Sequence, residues 1–290
     1  MKADANGKKE ILILGGTRFF GPALIEKLLE SSGKAIHITC FHRGLHNAAF
    51  PCSEVSFLTG DRYSSRDMAE LFEREWDTVI DLSGTDEQTI TAAMQYACGR
   101  CRRYVFISSS SVYAPGDLSP HRENEPLKNG TGEPYAIAKI NGERLLRELF
   151  PCHTIIRPSK VYGPGNYWFS ERDYLKRLQD SPLVCLKNDP VLHFTYISDL
   201  AEGICALLDK NGTFNVAGAE PASLSRFIKT IGRLCGITAA FAFTQDSDVP
   251  FSGLSDRILD LSEAKKAAGW FPTVSLEEGL ARTLLCSGRY

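Results

Sequence analysis

The feature that most constrains the fold is an alternation of short apolar runs with amphipathic stretches over roughly the first 110 residues. Ile11-Leu12-Ile13-Leu14 carries no polar break and runs into Gly15-Gly16, as a strand buried on both faces does. Gly21-Pro22 then opens a helix with Leu24, Ile25, Leu28 and Leu29 on one face, ending near Ser32-Gly33. Ile36, Ile38 and Cys40 read as a second strand, 55–58 as a third, 65–75 as a helix and 78–82 as a fourth strand. A helix over 89–99 and a fifth strand over 104–108 follow, then a long helix over 135–150 and a sixth strand over 154–157. Beyond Gly163-Pro164-Gly165 the alternation weakens; 214–217 reads as the last strand, and 200–208, 223–235 and 276–285 as helices. This β-α order predicts an α/β fold built on a doubly wound parallel sheet, with ligands outside the carboxyl ends of its strands.

Charge narrows the partners. The 290 residues hold 33 Lys+Arg against 35 Asp+Glu, a net charge of −2, so no global basic field favours nucleic acid or an anionic membrane. No apolar run approaches the roughly 18–20 residues that span a bilayer. The polar opening MKADANGKK lacks an apolar signal core, and the nine scattered cysteines, with one CxxC pair at Cys98 and Cys101, read as reduced thiols of a cytoplasmic protein. His42, His46, His121 and His193 have no partners at metal-ligand spacing and read as solvated or packed, with no metal site.

Gly15-Gly16-Thr17-Arg18-Phe19-Phe20-Gly21 lies between the first strand and the first helix. Small residues there allow a tight turn and close approach to a pyrophosphate resting on the helix N-terminus, which points to a dinucleotide. The ribose is read at the end of the second strand, where an acidic residue suits NAD and an Arg suits the 2′-phosphate of NADP. The stretch here is Cys40-Phe41-His42-Arg43, with no acid. Arg43, with Arg18, forms a candidate phosphate clamp and favours NADP(H), with NAD(H) the other choice; the plainer reading of Arg43 is a solvated loop cation. Asp61 is placed either to accept from the adenine amino group or to form a turn after Gly60.

The fifth strand ends in Ser108-Ser109-Ser110-Ser111-Val112-Tyr113, and Tyr135 and Lys139 stand one helical turn apart downstream. An ammonium near a phenol stabilises phenolate and draws the Tyr pKa down from about 10. Tyr135 is then a general acid–base for a carbinol–carbonyl pair, with a serine hydroxyl from the strand end bonding the same substrate oxygen. Tyr167, Trp168 and Phe169 either line a substrate pocket or pack a small lobe. Arg157 is equally an ion-pair partner or a ligand contact. Asp199 is expected to cap the helix over 200–208, and Asp86-Glu87 to start the helix after the fourth strand.

On the glycine turn, Gly60-Asp61, SSSSVY, the YxxxK, residues 157–165 (RPSKVYGPG) and residues 194–201 (FTYISDLA), the chain resembles the extended short-chain dehydrogenase/reductase superfamily, in its NAD-dependent epimerase/dehydratase branch. The resemblance covers roughly residues 10 to 285. It implies a Rossmann domain over 1–165, to which 194–217 returns, and a small C-terminal α/β substrate lobe over 166–193 and 218–290. It implies Ser109 as the catalytic serine, with Ser110 the runner-up, and Tyr135 and Lys139 as its partners, Lys139 also holding the nicotinamide ribose. The cofactor site takes in the glycine turn (Gly15, Thr17, Arg18, Phe19, Phe20, Gly21), Arg43, Asp61, Arg62, Leu82, Ser83, Gly84, Ser108, Pro158 and Val161. The substrate side takes in Ser110, Lys160, Tyr167, Trp168 and Arg172. The expected substrate is a small molecule, a sugar or nucleotide-sugar, and the expected assembly a homodimer through a four-helix interface.

The departures from the branch carry information of their own. Arg18 stands where GGTGFxG has a glycine, and GGTRFxG resembles an atypical subgroup that includes chloroplast stem-loop-binding proteins. Sugar-nucleotide epimerases carry Asn where Lys160 stands and Arg where Leu192 stands, both on the substrate diphosphate. Ser110-Ser111 replace the Asp-Glu pair of the 4,6-dehydratases, so β-elimination lacks its acid–base pair. Extended members are generally longer than this chain, so the substrate lobe is expected to be trimmed. The other class of function is a non-catalytic nucleotide-sensing or RNA-binding protein on the same scaffold, using Arg100, Arg102, Arg103, Arg172, Lys176 and Arg177; the charge balance and the intact Ser-Tyr-Lys set speak against it.

Overall fold

The computed structural model describes residues 7–32, 35–45, 50, 52–115, 120–130, 133–168 and 171–286. Gly33, His46 and Phe169 lie outside the described residues. Its centre is a seven-stranded, all-parallel sheet. The strands are β1 (Lys9–Leu14), β2 (Ile36–His42), β3 (Val55–Thr59), β4 (Trp76–Asp81), β5 (Cys101–Ile107), β6 (His153–Pro158) and, far along the chain, β10 (Gly212–Val216). Their order is β10-β6-β5-β4-β1-β2-β3. The chain reverses its winding at β1, which pairs with β2 on one side and β4 on the other. Such a switch point opens a crevice at the carboxyl ends of the strands, where the glycine-rich turn leaves β1.

The apolar runs are continuous because both faces of the sheet are covered. Ile11 and Ile13 face a core shared with α1 (Phe20–Ser32) and α6 (Ile197–Leu207), whereas Leu12 and Leu14 face α2 (Ser65–Leu71), α3 (Glu87–Ala97) and α4 (Pro134–Leu149). A one-residue slip of β1 would exchange the two sets, so register is tightly specified. Asp86 caps α3 by accepting from the amide of Thr89 at 2.9 Å, as its sequence position suggests. Asp199 is not the cap of α6: it lies inside the first turn, and its carboxylate accepts from the amides of Thr273 and Val274, both at 3.1 Å. A buried carboxylate is better satisfied by two converging amides than by one cap bond, and the contact ties the C-terminal segment to the sheet.

The smaller lobe holds β7 (Lys160–Tyr162), α5 (Glu171–Asp180), β8 (Leu183–Leu186), β9 (Val191–Tyr196), β11 (Pro221–Ser223), α7 (Leu224–Leu234) and β12 (Ala240–Phe243). α8 (Ser262–Ala268) and α9 (Leu276–Cys286) close the chain. Strand β10 is therefore not the last: β11 joins β9 and β7, and β12 joins β8. The helix expected over 65–75 stops at Leu71, because Phe72 leaves the helical conformation and Trp76 begins β4.

Candidate active site

The turn after β1 works only with glycine. Gly15 and Gly16 have φ of 103° and 94°, where side chains are strained, and a Cβ on Gly21 would stand 2.5 Å from the Gly16 backbone. The turn thus lies directly against the first turn of α1, where the Gly21 amide is taken by the Arg18 carbonyl at 3.0 Å. A cleft of about 320 Å³ opens over it. Of the expected cofactor residues, Gly15, Thr17, Arg18, Phe19, Phe20, Gly21, Arg43, Asp61, Arg62, Leu82 and Ser83 line this cleft, joined by His42, Tyr63 and Tyr167. Gly84, Ser108, Tyr135, Lys139, Pro158 and Val161 do not line it.

Several of these residues carry structural duties. Arg62 donates to both oxygens of buried Asp81 (2.9 and 3.0 Å), to Ser83 Oγ at 2.7 Å and to the Thr89 carbonyl at 3.0 Å. Its charge is therefore spent on Asp81 rather than left for a ligand. Burial pushes the Asp81 carboxyl up, and the Arg62 charge outweighs this to hold it below the usual range. Gly84 gives its amide to Asp81 at 2.9 Å. Ser108 is turned inward and donates to Glu143 at 2.7 Å. Pro158 and Val161 stand in β6 and β7, with Val161 against the α1/α6 core. Asp61 Oδ1 accepts from the Tyr63 amide at 3.0 Å while the residue lines the cleft, so it shapes a turn at the ligand's edge. Arg18 and Arg43 are exposed, and their side chains have neither an ion pair nor a hydrogen bond among the described residues.

At the end of β5, Ser109 begins a single 3-10 turn over Ser110–Val112 and accepts from the amide and hydroxyl of Ser111 at 3.1 and 2.9 Å. Tyr135 stands in the first turn of α4, with the Ser109 side chain near its hydroxyl. Lys139 is buried one turn on, donates a hydrogen bond to the Ile107 carbonyl at 2.5 Å and lies 5.6 Å from the Tyr135 ring centroid. These three residues meet as the sequence suggested, but the electrostatics differ. Burial pushes the Tyr135 phenol up, with Ser109 pulling the other way, and no charge from Lys139 lowers it. The ammonium faces Ile107, and its own burial draws it down to about 8. Ser110 is buried beside them.

Arg157 is an ion-pair residue. It is 1% exposed and binds Glu143 through Nε at 2.8 Å and Nη2 at 2.6 Å, with Nη1 on the Tyr113 hydroxyl and the Glu123 carbonyl, both at 3.0 Å. On the substrate side, Lys160 lies 4.5 Å over the Phe251 ring. Burial draws its ammonium down to about 8, and the nearby Arg257 and Lys128 act in the same direction, against Glu133. Arg257 is 6% exposed and its Nε has no hydrogen-bond partner among the described residues. Sequence reasoning missed Arg257, yet it pairs in register with Leu192, the position where nucleotide-sugar epimerases carry Arg. Only that long-range pairing reveals it.

Tyr167, expected on the substrate side, lines the cleft over the glycine turn, Trp168 is 70% exposed, and Arg172 stands exposed in the first turn of α5. The loop between β7 and α5 is anchored on Glu171, which accepts from the Gly163 amide and Asn166 Nδ2, both at 3.3 Å. Burial pushes the Glu171 carboxyl up to about 7. The folded chain then holds this proton more tightly than the unfolded one, so stability from this group is full below the ordinary value of 4.5 and is lost as pH rises through 7. Glu171→Gln is therefore expected to gain about 3 kcal/mol on the wild type between pH 4 and pH 8, read by denaturant unfolding at both; an equal difference at both pH values would contradict it.

His193 accepts from the Leu259 amide and is held neutral by burial, its pKa near 4; His121 stacks on Tyr113 and pairs with Glu125; His42 takes the Gly44 amide. Among the described residues no group of three or more His, Cys, Asp or Glu could hold a metal, and no helix is long and apolar enough to cross a membrane.

The sequence pattern of the NAD dependent epimerase/dehydratase family matches residues 11–217, and the chain belongs to that family. It is 32% identical to an uncharacterized UDP-glucose epimerase, YtcB, of Bacillus subtilis, over 95% of this chain and 96% of that one. It is 25% identical to the chloroplast stem-loop binding protein of 41 kDa b of Arabidopsis thaliana, over 95% of this chain and 78% of that one. Its fold matches UDP-glucuronic acid 4-epimerase from Bacillus cereus, solved with UDP-glucuronic acid and NAD, at a TM-score of 0.79 and 23% identity, covering 97% of this chain and all of the other. It also matches dTDP-glucose 4,6-dehydratase from Bacillus anthracis, solved with NAD, at 0.80 and 17%, covering 97% of each. The sheet, the switch point and the smaller lobe are those of this fold.

Proposed function

We propose that the chain is an NAD(P)-dependent enzyme acting on a carbinol or ketone of a nucleotide-sugar, as an epimerase or a reductase. The observation that carries this reading is the convergence of Ser109 at the end of β5 with Tyr135 at the start of α4, Lys139 lying buried 5.6 Å from the Tyr135 ring centroid. The cleft fits the cofactor: the glycines leave room that any Cβ would fill, and Arg18 and Arg43 offer guanidiniums with no hydrogen bond or ion pair among the described residues for its phosphates. A nicotinamide bound there supplies the hydride acceptor and donor. Ser109 orients the substrate oxygen, Tyr135 takes or gives the proton at its hydroxyl, and Lys139 supports the phenolate. Arg43 favours NADP(H); the structural relatives named above were solved with NAD.

Lys160, Arg257 and Lys128, facing the single carboxylate of Glu133, suit a substrate diphosphate, because three cations around one acid leave a net positive pocket. Incubation with NAD or NADP and a panel of UDP- and dTDP-sugars, with products separated by chromatography, tests the reading. Epimers without accumulated reduced cofactor mark an epimerase; stoichiometric cofactor conversion marks a net oxidoreductase. Neither outcome across the panel would contradict the proposal.

The likeness to the stem-loop binding protein favours RNA binding as the second reading. Two members of its basic clusters are already engaged: Arg102 pairs with Asp77 and Arg177 with Asp248. Absence of RNA affinity at low ionic strength eliminates it.

A further inference from the structure

Tyr167 leaves the substrate-side loop and crosses the cofactor cleft. The Arg18 guanidinium lies 3.7 Å from its ring centroid, and Phe19 meets the same ring edge-on at 6.2 Å. The crossing is close: a Cβ on Gly165 would stand 3.5 Å from the Phe19 Cα. The loop is also braced from below, since Asn166 Oδ1 accepts from the Trp168 amide at 3.0 Å while Asn166 Nδ2 binds Glu171. Phe19 itself sits at a φ of 54°, so the glycine turn presents two consecutive side chains to the loop.

We propose that Arg18 and Tyr167 form a clasp that closes the cofactor cleft across the glycine turn and retains a bound dinucleotide between turnovers. The proposal rests on the cofactor reading above and adds which residues retain the ligand. A guanidinium stacks through its face and donates through its edge. The Tyr167 ring occupies the face, and the edge has no hydrogen-bond partner among the described residues. Arg18 can therefore hold a pyrophosphate oxygen without giving up the stack, so the two contacts reinforce each other. Withdrawal of water by a ligand beneath strengthens the cation–π contact further.

Retention has a consequence for the reaction class. A net oxidoreductase must exchange its cofactor in every cycle. A reaction that oxidises and re-reduces one substrate returns the cofactor to its starting state and needs no exchange. Retention of this kind suits redox-neutral chemistry, the epimerisation among the two reactions proposed above.

The experiment is a release measurement, independent of activity. The protein is loaded with NADH, or NADPH if only that binds, and chased with excess oxidised cofactor while nicotinamide fluorescence is followed. Tyr167→Ala is expected to release about three- to thirtyfold faster than the wild type, and Tyr167→Phe, which keeps the ring, within about twofold. The ring is 58% exposed, so the Ala variant is expected to fold, with thermal unfolding as the check. Release from Tyr167→Ala within about twofold of the wild type would overturn the clasp while leaving the cofactor reading intact. Failure of the wild type to bind either reduced cofactor would overturn both.

Discussion

Tyr135→Phe is expected to lower turnover by about two to four orders of magnitude while leaving the melting temperature within about 2 °C. The substitution removes one oxygen, the atom that stands near Ser109 and, in the proposed reaction, carries the substrate proton. The fold does not lean on that oxygen, because the side chain is 38% exposed at the start of α4. The pH profile carries a second signature. Burial keeps the phenol above its ordinary value, so Tyr135 is protonated at neutral pH and needs a cation to become a base. Lys139 does not lower the phenol in the free chain but, 5.6 Å from the ring centroid, is the cation that supports the phenolate in the proposed reaction, and its pKa near 8 means that this charge is lost as pH rises through 8. Turnover in the direction that needs phenolate assistance should therefore fall above pH 8. Steady-state rates on the nucleotide-sugar that turns over check both statements; Tyr135→Phe at wild-type rate would remove this residue from the chemistry.

Glu143→Leu is the largest stability loss expected, about 3–5 kcal/mol, or on the order of 6–20 °C in melting temperature. Glu143 is fully buried and receives Arg157 at 2.6 and 2.8 Å together with Ser108 at 2.7 Å. Burial pushes its carboxyl up, and the Arg157 bonds and charge outweigh that, leaving it below the ordinary 4.5. Its stability contribution is thus present above pH 4.5 and is lost as pH falls through the lower folded value. Removing the carboxylate strands a guanidinium that is 1% exposed, and a buried, uncompensated charge is what makes half of a pair so costly. Glu143→Leu combined with Arg157→Met should recover most of the loss, since the two apolar side chains need no partners. Chemical denaturation of the single and double variants separates the cases, and a single variant within about 1 kcal/mol of the wild type would contradict the account.

The contrast between Arg157 and Arg18 shows what could be read before the structure. The central sheet was legible because β1, β4 and β5 are buried on both faces and must be apolar without interruption. The glycine turn and the Tyr135/Lys139 spacing were legible because each is local in sequence. The lobe was not: β7, β8, β11 and β12 have three or four residues each, and their partners lie far along the chain, Ala240 against Leu183 for one. The resemblance implies Arg62 as a cofactor contact, but Asp81, nineteen residues on, captures its guanidinium. Arg257 was invisible because its meaning comes from pairing with Leu192 across the lobe. Tyr167 could be assigned to a substrate wall or a core, and only the folded chain brings it over Arg18.

The central claim is that the cleft above the glycine turn binds a nicotinamide dinucleotide. Titration of the chain with NAD, NADH, NADP and NADPH, followed by calorimetry, tests it most directly. The account predicts saturable binding of one cofactor per chain, with NADP(H) tighter than NAD(H) through Arg43. Binding of NAD(H) alone would remove the role given to Arg43, and no binding of any of the four would contradict the claim itself.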